Sequence, residues 1–356
     1  MLVFSYIALH YLKYFAVILF ALTLFSVGFD YMGVASKLPD SANLVVMYIV
    51  YKVFYSIDML LPLTLIFAMI ATKVSFIRNN TLVAFYALGY SKVDILKPFV
   101  AVSTIIIILF VALHSTSFAR ANEFAKNIKS NDSLSYTTHD LFFTYNNQYV
   151  YFGELFPLQE RAEDIRIFTI ENGQLAQVVT ASSAHYQSGY WYVKEAHIVT
   201  KPMVLDFNSS EGITIEADAT LKLLKDFRPK ILDQVYEGKV DFTISDAMDA
   251  IILLQSENLS IDKIKSALYK IFVYPFFVPA LIVVIFFLVP ISNRFMSISL
   301  FTFGAILATL MIWVVLFSLI ELSNNKVIPS EVGIILPILL LWVGALIIWQ
   351  KNRAYH

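Results

Sequence analysis

Residues 270–294 read KIFVYPFFVPALIVVIFFLVPISNR, with 23 uncharged residues between Lys270 and Arg294. A helix needs roughly 20 apolar residues to cross the hydrocarbon core of a bilayer. This stretch is therefore a membrane span rather than a buried core helix. Two more follow: Arg294 and Glu321 enclose 26 uncharged residues, and Glu331 and Lys351 enclose 19. Toward the N-terminus, Lys97 and Arg120 enclose 22. Two further stretches are less clean. Lys13 and Asp30 enclose only 16 uncharged residues, although that run extends through Tyr31-Met32-Gly33, and the second carries Lys52 and Asp58 inside it. A cleaved signal peptide fits residues 1–35 poorly, because the apolar run is long and only Lys13 precedes it. The block order is thus three spans, about 150 polar residues, and three spans. With 58% hydrophobic and 15% charged residues, the chain is too apolar for a soluble domain of this length.

Lys and Arg in short loops fix the orientation, since cytoplasmic loops retain positive charge. Residues 73–97 carry Lys73, Arg78, Lys92 and Lys97 against Asp94 alone; Arg294 marks the loop after span four, and Lys351 and Arg353 mark the tail. The loops after spans one and five are balanced, with Lys37 set against Asp30 and Asp40, and Lys326 against Glu321 and Glu331. Both termini are expected inside and the middle domain outside. Residues 115–267 hold 14 Lys and Arg against 21 Asp and Glu, a net charge of −7, which excludes nucleic acid as a partner.

The middle domain has no cysteines to staple it and must hold together by packing. Phe142–Phe152 reads FFTYNNQYVYF around Asn146-Asn147, Ile165–Val179 reads IRIFTIENGQLAQVV around Asn172-Gly173, and Tyr186–Val199 reads YQSGYWYVKEAHIV around Ser188-Gly189. Each is a hairpin signal. Further alternating segments at Met203–Phe207 and Ile213–Leu224 suggest a sandwich or jelly roll. From Ser245 to Lys265 the period turns helical.

The chemistry available is sparse. No GxxxxGK[ST] phosphate loop, HExxH, GxSxG or Cys-based metal pattern occurs, so the chain does not itself hydrolyse ATP. His10, His114, His139, His185, His197 and His356 are scattered; His139-Asp140 and the His185/His197 pair are the only suggestive neighbours, and packed or surface histidines explain them better than a metal.

Span two and the loop behind it are more informative. Asp58 stands four residues before Pro62, whose ring removes the hydrogen bond to the Asp58 carbonyl, so a kink is expected there. An ionisable group at membrane depth faces a cavity or a polar partner. Both readings of Asp58 stay open: cavity lining beside Pro62, or an interhelical hydrogen bond. Lys52 is placed to snorkel to the outer interface. The loop 78–97, RNNTLVAFYALGYSKVDILK, places Leu82, Phe85 and Leu88 on a short helix, a turn at Gly89-Tyr90-Ser91, and a second amphipathic segment feeding span three. Such a helix either docks in a groove on a soluble partner or lies on the bilayer.

The block order, the PLTL of span two, the ALGYSK of the loop and the YKIFVYPF that opens span four resemble the LptF/LptG permeases of lipopolysaccharide export. The likeness covers essentially the whole chain, and the block order is its most specific part. It implies a polytopic α-helical membrane protein of six transmembrane helices with an inserted periplasmic, jellyroll-like all-β domain. Residues 1–119 would hold helices one to three with the coupling helix at about 78–97, 120–244 the β-domain, 245–267 a helical connector, and 268–356 the last three helices. It implies a non-catalytic, cofactor-free subunit of the Gram-negative inner membrane that pairs LptF with LptG and binds two LptB ATPases through the loop helix. Such a pair extracts lipopolysaccharide and passes it to LptC and LptA. Residues 242–272 and 328–349 look more like LptG than LptF.

By that resemblance Arg78, Thr81, Leu82, Phe85, Leu88, Gly89 and Ser91 form the ATPase-docking segment. One departure stands out. The family's coupling glutamate, eight residues before the loop glycine, is Thr81 here. Lys37 and Lys52 are the expected headgroup residues, and Phe142, Tyr149, Tyr151, Trp191 and Tyr192 the expected lipid contacts of the β-domain. Asp206-Phe207-Asn208-Ser209-Ser210 has the form of a bacterial N-glycosylation acceptor, with a free turn as the plainer reading. The competing class is a mechanotransmission subunit that relays ATPase strokes without moving lipid. Such proteins commonly have four spans, and six count against it.

Overall fold

The computed structural model describes residues 2–131, 137–145, 148–157, 159–171, 173–202, 212–225, 243–256, 262–288 and 297–353. Asn146-Asn147, Asn172, the segment Met203–Phe207, the Asn208 acceptor and Arg294 lie outside them. The chain divides into two units, Met1–Ala125 with Lys265–His356, and Lys126–Ile264.

The first unit is helical because hydrocarbon offers no water to backbone N–H and C=O groups, which must then pair within each span. Its helices are α1 (Leu2–Val34), α2 (Ala42–Arg78), the short α3 (Thr81–Ala87), α4 (Lys92–Leu113), and α5 (Ala121–Asn131), which runs on past the boundary of the unit. Past the middle region come α6 (Ile244–Ser256), which lies in the second unit, α7 (Asp262–Phe272), α8 (Phe277–Leu288), α9 (Ile298–Asn324) and α10 (Leu336–Arg353). Among the described residues six helices, with α7 and α8 counted together, are long and apolar enough to cross a membrane. α2 is the central one, buried along most of its length, whereas α1, α9 and α10 leave most of their apolar surface uncovered. Polar threads tie the bundle: the Tyr11 hydroxyl donates to the Leu65 carbonyl at 2.9 Å, and Trp342 Nε1 donates to the Phe276 carbonyl at 3.1 Å. Lys73 is buried within α2 and donates to the carbonyl of Phe286 in the last turn of α8, with its ammonium 3.8 Å from the Phe286 ring centroid.

The second unit is built on one antiparallel sheet of β1 (Thr138–Tyr145), β2 (Gln148–Phe156), β3 (Arg161–Glu171), β4 (Gln174–Gln187), β5 (Tyr190–Thr200) and β6 (Thr214–Leu223), each paired with the next. All three hairpins expected from the sequence are present, with Tyr145 opposite Gln148, Glu171 opposite Gln174 and Gln187 opposite Tyr190. Ser188 and Gly189 both have positive φ, +50° and +84°, as a two-residue turn matching the strand twist requires. One sheet face buries Phe143, Val150, Phe152, Ile165, Ile167, Trp191 and Val193.

A line of irregularities crosses this sheet. Asp140, Asp164 and Glu195 have φ of +53°, +48° and +57°, and the ladder pairing skips each of them; the register is unchanged on either side of Asp140 and Asp164 and shifts beside Glu195 where β5 meets β6. Asp140 and Asp164 both oppose Gly153, and Asp164 and Glu195 flank Ser182. The three positions form a crease in the ladder, a line across neighbouring strands where pairing is skipped. Gly153 makes room for the crease, since a Cβ there would stand 2.8 Å from the Asp164 Cβ.

Candidate functional site

The segment after α2 is a stop-and-start signal written in side chains. Asn79 and Asn80 break α2, Asn80 in the left-handed region at φ +57°, and α3 follows at once. α3 ends in a Schellman motif, with the Gly89 N–H donating to the Tyr86 carbonyl at 3.0 Å and the Tyr90 N–H to the Phe85 carbonyl at 3.1 Å. Gly89 supplies the required φ of +87°, and the Tyr90 ring meets Phe85 edge-on at 6.4 Å. Ser91 then caps α4 in a reciprocal box with Asp94. ALGYSKVD is thus one helix end joined to one helix start.

α3 has two faces. Leu82 is fully buried and Phe85 nearly so, against Phe76 and Tyr6 from the ends of α2 and α1. Thr81 is half-buried, and burial pushes the Tyr86 phenol up to about 12. Val83, Ala84, Ala87 and Leu88 face outward, Leu88 at 72% exposure, and Arg78 is exposed. The expected docking residues therefore separate: Leu82 and Phe85 anchor α3 to its own chain, and only Leu88 of the three apolar ones is free for a partner. The alternation of apolar residues could not say which side faced inward.

At the far end of the α1–α2 hairpin, Lys52 Nζ lies 3.0 Å from Asp30 Oδ1, and the Tyr48 hydroxyl donates to Asp30 Oδ2 at 2.5 Å. The Tyr48 and Tyr55 rings flank the ammonium at 5.8 and 5.4 Å. Lys37, in the short turn Ala35–Lys37 after α1, is exposed. The two lysines thus differ: one is held by a carboxylate, and the other is exposed with no ion-pair partner among the described residues. Along the same hairpin runs an apolar groove of about 670 Å³, lined on α1 by Phe15, Leu19, Thr23, Val27 and Tyr31 among others, and on α2 by Ile49, Val53 and Ile57. The Thr23 hydroxyl is buried there with no hydrogen-bond partner among the described residues.

Asp58 and Pro62 do not line this groove. Asp58 Oδ1 lies 2.9 Å from His114 Nε2 at the end of α4, and His114 Nδ1 donates to the Phe110 carbonyl at 2.9 Å. Of the two readings open for Asp58, this geometry supplies the interhelical one. His114 was not legible as its partner, because the two residues are 56 apart on different spans. α2 continues through buried Pro62 as one helix.

The aromatic set of the β-domain also divides. Phe142 and Tyr149 are exposed and stacked at 5.8 Å on β1 and β2, and Tyr151 shares their face. Its hydroxyl donates to Asp140 at 2.6 Å, and that bond raises the phenol above its ordinary value. Trp191 lies on the other face, in the core, 5.1 Å from Phe152. Tyr192 is half-buried with Lys222 over its ring. His139 approaches Glu154 at 3.7 Å, while His185 and His197 pair with Tyr192 and Thr180 and do not meet. Among the described residues no three His, Cys, Asp or Glu side chains gather as a metal would need.

Six span-length helices, an inserted antiparallel β-domain and a capped helix between spans two and three are the frame on which the family comparison rests. The family model of the lipopolysaccharide export system permease LptF/LptG matches residues 5–351. The chain belongs to this family. No individual curated protein matches it. Membership makes the chain a permease component of lipopolysaccharide export, and six spanning helices make it a multi-pass protein of the membrane in which that export begins. LptF and LptG share the match.

Proposed function

We propose that the chain is one half of the membrane core of a lipopolysaccharide exporter, of the LptG type, paired with an LptF-like paralogue. Its outward α1–α2 groove takes acyl chains, Lys37 and Lys52 attract the phosphates, and the β-domain passes the lipid to LptC-like and LptA-like bridge proteins. Energy comes from an LptB-like ATPase dimer docked on α3. Both termini are cytoplasmic and the β-domain periplasmic, the orientation that puts the basic loop 73–97 beside the ATPase.

The observation that carries the reading is the outward face of α3, an apolar Val83-Ala84-Ala87-Leu88 strip held rigidly by caps at both ends of the turn. With Thr81 in place of a carboxylate, docking is apolar. Leu88→Asp is expected to abolish co-purification of the ATPase and leave the membrane unit's melting temperature unchanged, since a buried interface does not hold an unpaired carboxylate cheaply. Leu82→Asp is expected to lower that melting temperature itself, because its side chain has no exposure. Retention of the ATPase at wild-type yield by Leu88→Asp and Val83→Asp would place docking elsewhere.

A further inference from the structure

Lys52 has a carboxylate on it already, and that bears on what else it binds. Asp30 reaches it from α1 across the hairpin, with its second oxygen held by Tyr48. The pair stands beside the end of the apolar groove lined by Gly28, Tyr31, Ile49 and Val53. Both side chains keep some exposure, 16% for Lys52 and 31% for Asp30, so an anion arriving from the surface has access and the carboxylate has room to swing out.

We propose that Asp30 is an internal competitor for the lipid headgroup: it occupies Lys52 until a phosphate displaces it, and so sets which anionic lipids the mouth of the groove accepts. The inference rests on the export reading above. A bare lysine at this depth would be held by the phosphodiesters of ordinary phospholipids, which outnumber any cargo. A tethered carboxylate competes at a high effective concentration and repels singly charged headgroups. A multiply phosphorylated glycolipid overcomes it, because it brings more charge and offers acceptors to both donors, the Lys52 ammonium and the Tyr48 hydroxyl, once Asp30 leaves. Asp30 is then a specificity residue acting through Lys52, and a purely structural ion pair would have no such selectivity.

The test is binding of lipopolysaccharide and of phosphatidylglycerol, measured separately on the intact transporter complex in detergent. Asp30→Asn is expected to raise phosphatidylglycerol affinity roughly fivefold, the factor for one nearby charge, with a smaller change for lipopolysaccharide, so that selectivity falls. Tyr48→Phe keeps every charge and is expected to shift selectivity the same way by a smaller factor, which covers the case in which Asp30→Asn does not assemble. In a Lys52→Met background the selectivity change caused by Asp30→Asn is expected to be much smaller than in the wild type. Unchanged selectivity in assembled Asp30→Asn or in Tyr48→Phe, with lipopolysaccharide binding weakened by Lys52→Met, overturns the competitor and leaves the headgroup site standing. Equal lipopolysaccharide binding by wild type and Lys52→Met overturns the headgroup site, and the competitor with it.

Discussion

Asp58 and His114 are the only described carboxylate–histidine contact within the spans, and each is half of a bargain made at membrane depth. Removing one leaves the other without its partner where water is scarce, and an orphaned polar group of this kind costs about 1–3 kcal/mol. Asp58→Leu and His114→Leu are each expected to lower the unfolding stability of the membrane unit by that order. The double variant is expected to cost less than the two singles combined, because it leaves neither group unpaired; thermal unfolding of the four proteins of the cycle measures it. At this scale much was illegible. The sequence marks Asp58, Lys52 and Asp30 as ionisable groups in or beside apolar runs, but pairing depends on how two spans are rotated against each other. That rotation places Asp30 on Lys52 and Asp58 on His114. Lys73, read as one more basic residue of the cytoplasmic side, is buried under α8 for the same reason.

Elements were far more legible, because their signals are local. Uncharged runs between fixed charges place the spans, and Ser188-Gly189 marks a hairpin whose two positive φ values few other pairs adopt. The crease was not legible, since Asp140, Asp164 and Glu195 are ordinary surface acids until pairing lines them up across Gly153 and Ser182. Gly153→Ala should meet the Asp164 Cβ, which the backbone fixes, and a forced shift of that kind costs about 1–3 kcal/mol. Pulse proteolysis of the full-length protein is expected to show faster cleavage in the β-domain of this variant. Adding Asp164→Gly removes the colliding atom and suits the φ of +48°, so protection is expected to return. Protection unchanged by Gly153→Ala would mean that the crease yields without cost.

On the scale of the molecule, an export route asks the lipid to leave an apolar groove in one unit and reach a β-domain in the other. The domain offers a packed face around Trp191 and Phe152, and the exposed Phe142–Tyr149 stack on β1 and β2, β1 being an edge strand among the described residues. A stacked, exposed aromatic pair gives a passing acyl chain apolar cover. The core face is already filled, since Trp191 is closed off by Phe152 and Tyr186. Photo-crosslinkers placed at Phe142 and Tyr149 in the assembled transporter are therefore expected to capture lipopolysaccharide while ATP is hydrolysed, and those at Phe152 and Trp191 are not. The reverse pattern would mean that the sheet opens and the lipid runs through its core. Absence of adducts at all four positions during active export would take this sheet off the lipid's path and leave its aromatic residues as packing.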